Sequence, residues 1–251
     1  MTDDILTTRT GRILELRLNR PDKKNAITAA MYAAMAEGLR SAAGDADVRV
    51  VTIVGSGGSF TSGNDIKDFQ QTPPLDLDQP VFHFLEAIST FPKVLVAGVE
   101  GPAVGVGTTL LLHCDLILAA PSAIFSLPFV DLGLVPEAAS SLLLPELIGR
   151  HRAAKHLILG DSFDAETALG YGLVTDIVVS DLEARVRSVA ERIAAKPPEA
   201  VRLTKRLLRS NGDAVRARIE EEGKLFARRL ASAEAAEAFT AFFEKRPPNF
   251  G

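Results

Sequence analysis

Two glycine-bearing loops and one glutamate carry the chemistry that this 251-residue sequence offers. Ser59-Phe-Thr-Ser-Gly-Asn-Asp-Ile66 follows one apolar run. Glu100-Gly-Pro-Ala-Val-Gly-Val-Gly-Thr-Thr109 follows another and opens a helical pattern. Glycines at a strand-to-helix turn let successive N–H groups point at one spot, and a helix N-terminus adds partial positive charge there. Side by side, two such loops can build an oxyanion hole; on spacing alone they read more readily as packing turns. Gly105-Val-Gly107 lacks the third glycine of a dinucleotide fingerprint and no GxxxxGK[ST] occurs, which disfavours a nucleotide-binding fold. Glu137 follows an apolar run and precedes Ala138-Ala139, a setting in which desolvation raises a carboxyl toward a useful base. The competing reading is a glutamate held at a helix N-terminus by the macrodipole. Asp131 reads as a cap and Cys114 as an inert core residue. His83, His113, His151 and His156 show no ligand spacing with a carboxylate, so no metal is expected. Arg202, Lys205, Arg206 and Arg209 form a helical stripe that reads as a solvated or inter-subunit face.

The elements that must hold these residues are legible from periodicity. In Arg12-Ile-Leu-Glu-Leu-Arg-Leu18 the leucines alternate with charges, the mark of a half-buried strand. Thr28 caps a helix over 28–42, with Met31, Met35 and Leu39 on one face. Val48–Val54, Val94–Ala97 and Leu116–Ala119 are apolar runs of strand length, the first buried on both faces. Residues 72–80 form a Pro- and Asp-rich loop, and Phe82, Leu85 and Ile88 a helix closed by Pro92. Gly105–Leu112 begins another helix. The order strand, strand, helix thus recurs without a sequence repeat. From Gly160 helices are expected at 164–170, 181–195, 199–209 and 213–244. The last of these carries Leu225, Phe226, Leu230, Phe239, Phe242 and Phe243 as apolar anchors.

Composition sets the outer limits. Hydrophobic residues are 47% and charged residues 24%, the balance of a globular chain. A net charge of −4 gives no basic field for nucleic acid. One cysteine excludes an intrachain disulfide. The acidic Met1-Thr2-Asp3-Asp4 does not resemble a secretion signal, and Gly101–Cys114, an uncharged stretch near the middle, is too short for a bilayer. A cytoplasmic protein with no membrane partner is the expectation.

Asn19-Arg-Pro21 with Asn25-Ala26, Phe60-Thr-Ser-Gly-Asn-Asp-Ile66, Gly101-Pro-Ala-Val-Gly-Val-Gly107 with Cys114-Asp115, and the ending Phe243-Glu-Lys-Arg-Pro-Pro-Asn-Phe250 resemble the crotonase (enoyl-CoA hydratase/isomerase) superfamily in order and spacing. The resemblance covers nearly the whole chain. It implies an α/β fold, a spiral of ββα turns over 1–198 carrying a coenzyme A thioester site, and a helical trimerisation module over 199–251. The protein would assemble as a trimer or hexamer, with coenzyme A as part of the substrate and no separate cofactor. The oxyanion donors carry over to the N–H groups of Asn64 and Val106, flanked by Ser62, Gly63 and Gly105. Ala26, Asp65, Ile66 and Leu132 match substrate-lining positions, and Lys23 and Lys24 positions near the nucleotide end.

The departures point to the reaction. A hydratase of this superfamily uses two glutamates, at the positions held here by Thr109 and Phe129, and neither residue exchanges a proton near neutral pH. Pro136-Glu137 with Ser140-Ser141, together with Ser62-Gly-Asn-Asp65, resembles the Δ3,Δ2-enoyl-CoA isomerases, in which one carboxylate shuttles a proton. The resemblance therefore implies an isomerase with Glu137 as its base. The rivals are a hydratase with an atypical acid/base set and a non-catalytic acyl-CoA-binding trimer.

Overall fold

The computed structural model describes residues 3–71, 78–209 and 211–251; the first part of the expected 72–80 loop, 72–77, lies outside them. β1 (Ile5–Thr10) and β2 (Ile13–Leu18) pair as an antiparallel hairpin turning at Gly11. α1 (Ala29–Gly44) begins where the Thr28 hydroxyl accepts the Met31 N–H at 3.3 Å, and buries Met31, Tyr32, Met35 and Leu39. β3 (Val50–Gly55) then leads through α2 (Ile66–Gln71) and α3 (Pro80–Ser89) to β4 (Val94–Val99). β5 (Pro102–Val104) and the short α4 (Val106–Thr109) precede β6 (Leu116–Ala119) and β7 (Ile124–Ser126). α5 (Ser140–Ile148), α6 (Arg150–Ile158), β8 (Phe163–Asp164), α7 (Ala165–Tyr171) and β9 (Asp176–Ile177) follow. Four helices close the chain: α8 (Leu182–Ala194), α9 (Pro198–Leu208), α10 (Gly212–Leu230) and α11 (Ala233–Glu244).

Six strands form one sheet in the order β1-β2-β3-β4-β6-β9, parallel beyond the first pair, and β5-β7-β8 form a second. This is the expected α/β winding of strand pairs and helices. β3 is buried on both faces because its side chains alternate between two cores. Val51 and Ile53 pack in the core that holds α1 and α3, whereas Val50 and Val54 pack with Val186 and Val189 of α8. A third core around Phe69, Phe129, Leu134, Phe226 and Phe239 joins α2 and the 127–134 segment to α10 and α11.

Several expectations need correction. The helix expected over 213–244 is two helices, broken at Ala231-Ser232, where the Ser232 hydroxyl caps α11 through the Ala235 N–H at 3.2 Å. The helix opening at Gly105 runs only to Thr109 before tightening into a 3₁₀ turn over Leu110–His113. Lys205 is not on a solvated face: it is buried, bonded to Asp115 at 2.7 Å and to the Lys93 carbonyl, and clamps α9 to the sheet. Arg209 joins it through Asp115 and the His113 carbonyl.

Candidate active site

The two loops meet because short backbone pairings hold the 61–65 segment between Ile27 and Ala103. The Thr61 N–H donates to the Pro102 carbonyl and the Val104 N–H to the Thr61 carbonyl; the Ile27 N–H donates to the Gly63 carbonyl. Glycine is required at 63, where φ is +87° and a Cβ would lie 2.8 Å from the Val104 carbonyl oxygen. Gly107 lets the second loop approach, since a Cβ there would meet Thr61 Cγ2 at 2.4 Å. Asn25, buried with positive φ, stitches the first loop together by donating from Nδ2 to the carbonyls of Ser56 and Ser59. Val106 opens α4 after Gly105 (φ +55°), so its amide is one of those a helix start leaves unpaired. Among the described residues neither the Asn64 N–H nor the Val106 N–H donates a hydrogen bond, and both residues line one cavity. The Tyr32 hydroxyl donates to Asn64 Oδ1 at 2.5 Å and fixes that side chain.

The cavity has a volume of about 930 Å³. Lys23, Ala26, Ser62, Gly63, Asn64, Asp65, Ile66, Gly105, Val106, Phe129 and Leu132 all line it. Lys24 does not; its carbonyl accepts the Ser62 N–H instead. Asp131, read as a cap, is exposed on the cavity wall. Arg20, Lys67, Arg246 and the aromatic wall of Phe226, Phe239 and Phe242 were not foreseen. Arg20 pairs with Asp65 at 2.7 Å. Burial works against the Asp65 carboxylate, but the Arg20 hydrogen bond and the Asp68 and Lys67 amides outweigh it and lower its pKa.

Glu137 does not line this cavity; it lines a narrower one that shares Asn64, Phe69 and Phe226 with it. It shares the narrow space with Asn64, Phe69, Val81, Leu85 and Phe226. The side chain is buried, and Oε1 accepts the Thr109 hydroxyl at 2.6 Å. Thr109 is thus a partner of the carboxyl and not part of the large cavity's lining. Burial pushes the Glu137 pKa up to about 7; the Thr109 hydrogen bond works against the rise and the nearby Glu222 charge adds to it. A carboxyl half ionised near neutrality is suited to take up and release a proton. His113 has the opposite fate. Burial pulls its pKa down to about 4, so the neutral ring donates from Nε2 to the Ala138 carbonyl at 2.8 Å. Cys114, expected in the core, is partly buried against it, and desolvation chiefly pushes its thiol up to about 12.

Two consequences are measurable. Thr109→Ala removes a bond that favours the carboxylate, so the acidic limb of a pH–activity profile is expected to move to higher pH, with the alkaline plateau within a few-fold. Glu137→Gln is expected to stabilise the fold at alkaline pH. Folded, the carboxyl titrates near 7 against an ordinary 4.5, so the native state binds more protons between those values and stability falls as pH rises through them. Above pH 7 the ionised form costs about 3 kcal/mol. The glutamine variant should therefore melt higher at pH 8, and the gap should close toward pH 4.5.

Comparison with known proteins bears on the chemistry. A profile of the family described as enoyl-CoA hydratase/isomerase matches residues 8–251. Rat "Enoyl-CoA delta isomerase 2" is 35% identical over 97% of this chain, which spans 64% of that protein's length. Escherichia coli "2,3-dehydroadipyl-CoA hydratase" is 32% identical over 98% of both chains. The crystal structure of an enoyl-CoA hydratase/isomerase from Pseudoalteromonas atlantica T6c superposes with a TM-score of 0.95 at 43% identity, covering 99% of this chain and 100% of that one.

Proposed function

The chain belongs to the enoyl-CoA hydratase/isomerase family, and on that basis we propose that it moves a carbon–carbon double bond in an acyl-CoA thioester, converting a 3-enoyl-CoA to the 2-enoyl-CoA. The thioester oxygen accepts the N–H groups of Asn64 and Val106. Glu137 removes a proton from C2; the C–H pair becomes the C1=C2 π bond of a dienolate, and the carbonyl π pair moves onto the oxygen held by the two amides. The dienolate then collapses: the oxygen pair restores the C1=O bond, the C1=C2 π pair becomes the C2=C3 double bond, and the C3=C4 π pair takes the proton back from Glu137 at C4. Base and oxyanion donors suffice, and coenzyme A enters as part of the substrate.

The observation that carries this reading is that Glu137 is the one carboxyl among the described residues lining the narrow cavity. Hydration needs a second proton-exchanging group facing the first, yet the two positions in question are Thr109, bonded to Glu137 itself, and Phe129, packed in the aromatic core. The lining of the two cavities supports a substrate with its acyl chain toward Phe69 and Leu85 and its nucleotide end toward Lys23 and Lys67. A homotrimer, or a pair of trimers, is part of the same proposal, since Phe242 and Phe243 stay half exposed on α11. Among the described residues no helix is long and apolar enough to cross a membrane. Incubation with a 3-enoyl-CoA and, separately, a 2-enoyl-CoA tests the reading. Isomer from the first and negligible 3-hydroxyacyl-CoA from the second are expected; dominant hydration would overturn it.

A further inference from the structure

The backbone that follows Glu137 is unusual. Ala138 (φ +60°) and Ala139 (φ +57°) are consecutive left-handed residues, a conformation that L side chains disfavour and that glycine would adopt freely. Ala139 is also the cap residue of α5 and has no side-chain acceptor of its own, so the first amides of that helix need a partner from elsewhere. Glu222 on α10 supplies it. Its Oε2 accepts the Ala139 N–H at 2.6 Å and its Oε1 the Ser141 N–H at 2.9 Å, and the side chain is 4% exposed. Arg218, one turn earlier on α10, donates to the Ser141 hydroxyl at 2.9 Å. From the opposite side His113 holds the Ala138 carbonyl at 2.8 Å. Two peptide groups after Glu137, 138–139 and 140–141, are therefore clamped between two elements. Burial raises the Glu222 pKa, and its bonds to the Ser141 and Ala139 amides at a helix start and the Arg218 charge work against the rise.

We propose that Glu222 is a positioning residue for the double-bond migration: from the C-terminal helix it fixes the left-handed turn that aims Glu137 at the substrate. The inference rests on the isomerase reading for its kinetic consequences, but the geometry stands apart from that reading. Ile219, Glu222, Gly223 and Phe226 recur at helical spacing on one face of α10, and Ile219, Gly223 and Phe226 wall the narrow cavity beside Glu137. A carboxylate serves here better than an amide. Glutamine has one acceptor oxygen for two N–H donors and would turn its own NH₂ toward one of them. The charge matters as well. The groups that face Glu137 are the Thr109 hydroxyl, the buried Tyr32 hydroxyl and the Glu222 carboxylate, with Arg218 offsetting the last. Glu222 is the anionic neighbour that favours the proton-bearing form of Glu137.

Glu222→Gln, alone and combined with Ala139→Gly, tests the proposal. The single variant is expected to lose at least about tenfold in kcat for a 3-enoyl-CoA with KM within about threefold, because a base displaced by a fraction of an ångström loses rate and not binding. Its acidic limb in kcat/KM moves to lower pH, opposite to the shift expected of Thr109→Ala. Glycine at 139 takes up the left-handed turn without help, so the double variant recovers several-fold in kcat while the pH limb stays shifted. A role in stability alone would lower the melting temperature and leave the limb in place. The titration of the Glu137 carboxyl, followed by carbon-13 NMR in the absence of substrate, removes dependence on the assigned reaction. A downward shift in the Gln variant supports the proposal whatever the enzyme turns over. If Glu222→Gln does not fold, the same titration is read in the double variant, whose turn needs less support. Normal kcat with an unmoved limb, or an unmoved Glu137 titration in a folded variant, would overturn it.

Discussion

Glu137→Gln is expected to lower turnover of a 3-enoyl-CoA by about 10²–10⁴-fold while a non-reactive acyl-CoA binds within a few-fold of normal. Glutamine keeps the size of the side chain and can still meet the Thr109 hydroxyl, but it cannot take the C2 proton. The loss should approach the upper end of that range, because no second proton acceptor contacts Glu137 among the described residues: Tyr32 is held well above its ordinary pKa by burial, and Glu222 is occupied by two backbone amides. Steady-state turnover beside calorimetric binding separates the two effects. A variant that kept near-normal turnover would remove the base from the mechanism and turn attention to Asp131 on the cavity wall.

The second large effect concerns the oxyanion donors. Val106→Pro deletes one N–H with little disturbance of the fold. Val106 is the first residue of α4, a position where proline is tolerated, and its amide is not engaged within the protein. The preceding Gly105 is outside the right-handed helical region, so proline does not force it to change. Losing one such donor costs about 2.7–4 kcal/mol of transition-state stabilisation, a fall of about 10²–10³ in kcat. Val106→Ala keeps the amide and should lose far less. Equal losses in the two variants would mean that the side chain matters and the N–H does not.

How far the sequence announces this site depends on how far apart its parts lie in the chain. The two loops are legible because glycines cluster between apolar runs, and β2, β3 and β4 because their alternation or continuous apolarity is long enough to read. β8 and β9 have two residues each and carry no period to detect. β1 hides behind threonines and an arginine because all its residues but Ile5 face solvent. The break between α10 and α11 falls inside a helical period that continues on both sides, so only the Ser232 cap marks it. Glu137 is visible through its neighbours. Its supports are not: Glu222 lies 83 residues from the amide it holds, and nothing in Ala138-Ala139 signals a left-handed turn that asparagine or glycine would have betrayed. Lys205 looks like a solvated lysine until Asp115 and the Lys93 carbonyl are seen to surround it.

If one buried carboxyl both removes and returns the proton, an atom label must travel with it. A 3-enoyl-CoA deuterated at C2, converted in ordinary water, should yield 2-enoyl-CoA with part of its deuterium at C4, since Glu137 is only 6% exposed and exchanges slowly with solvent during the lifetime of the dienolate. The share is read by NMR or mass spectrometry at low conversion. Deuterium at C4 is the expected result; a C4 hydrogen drawn wholly from water at every stage of conversion would contradict proton transfer by Glu137 alone.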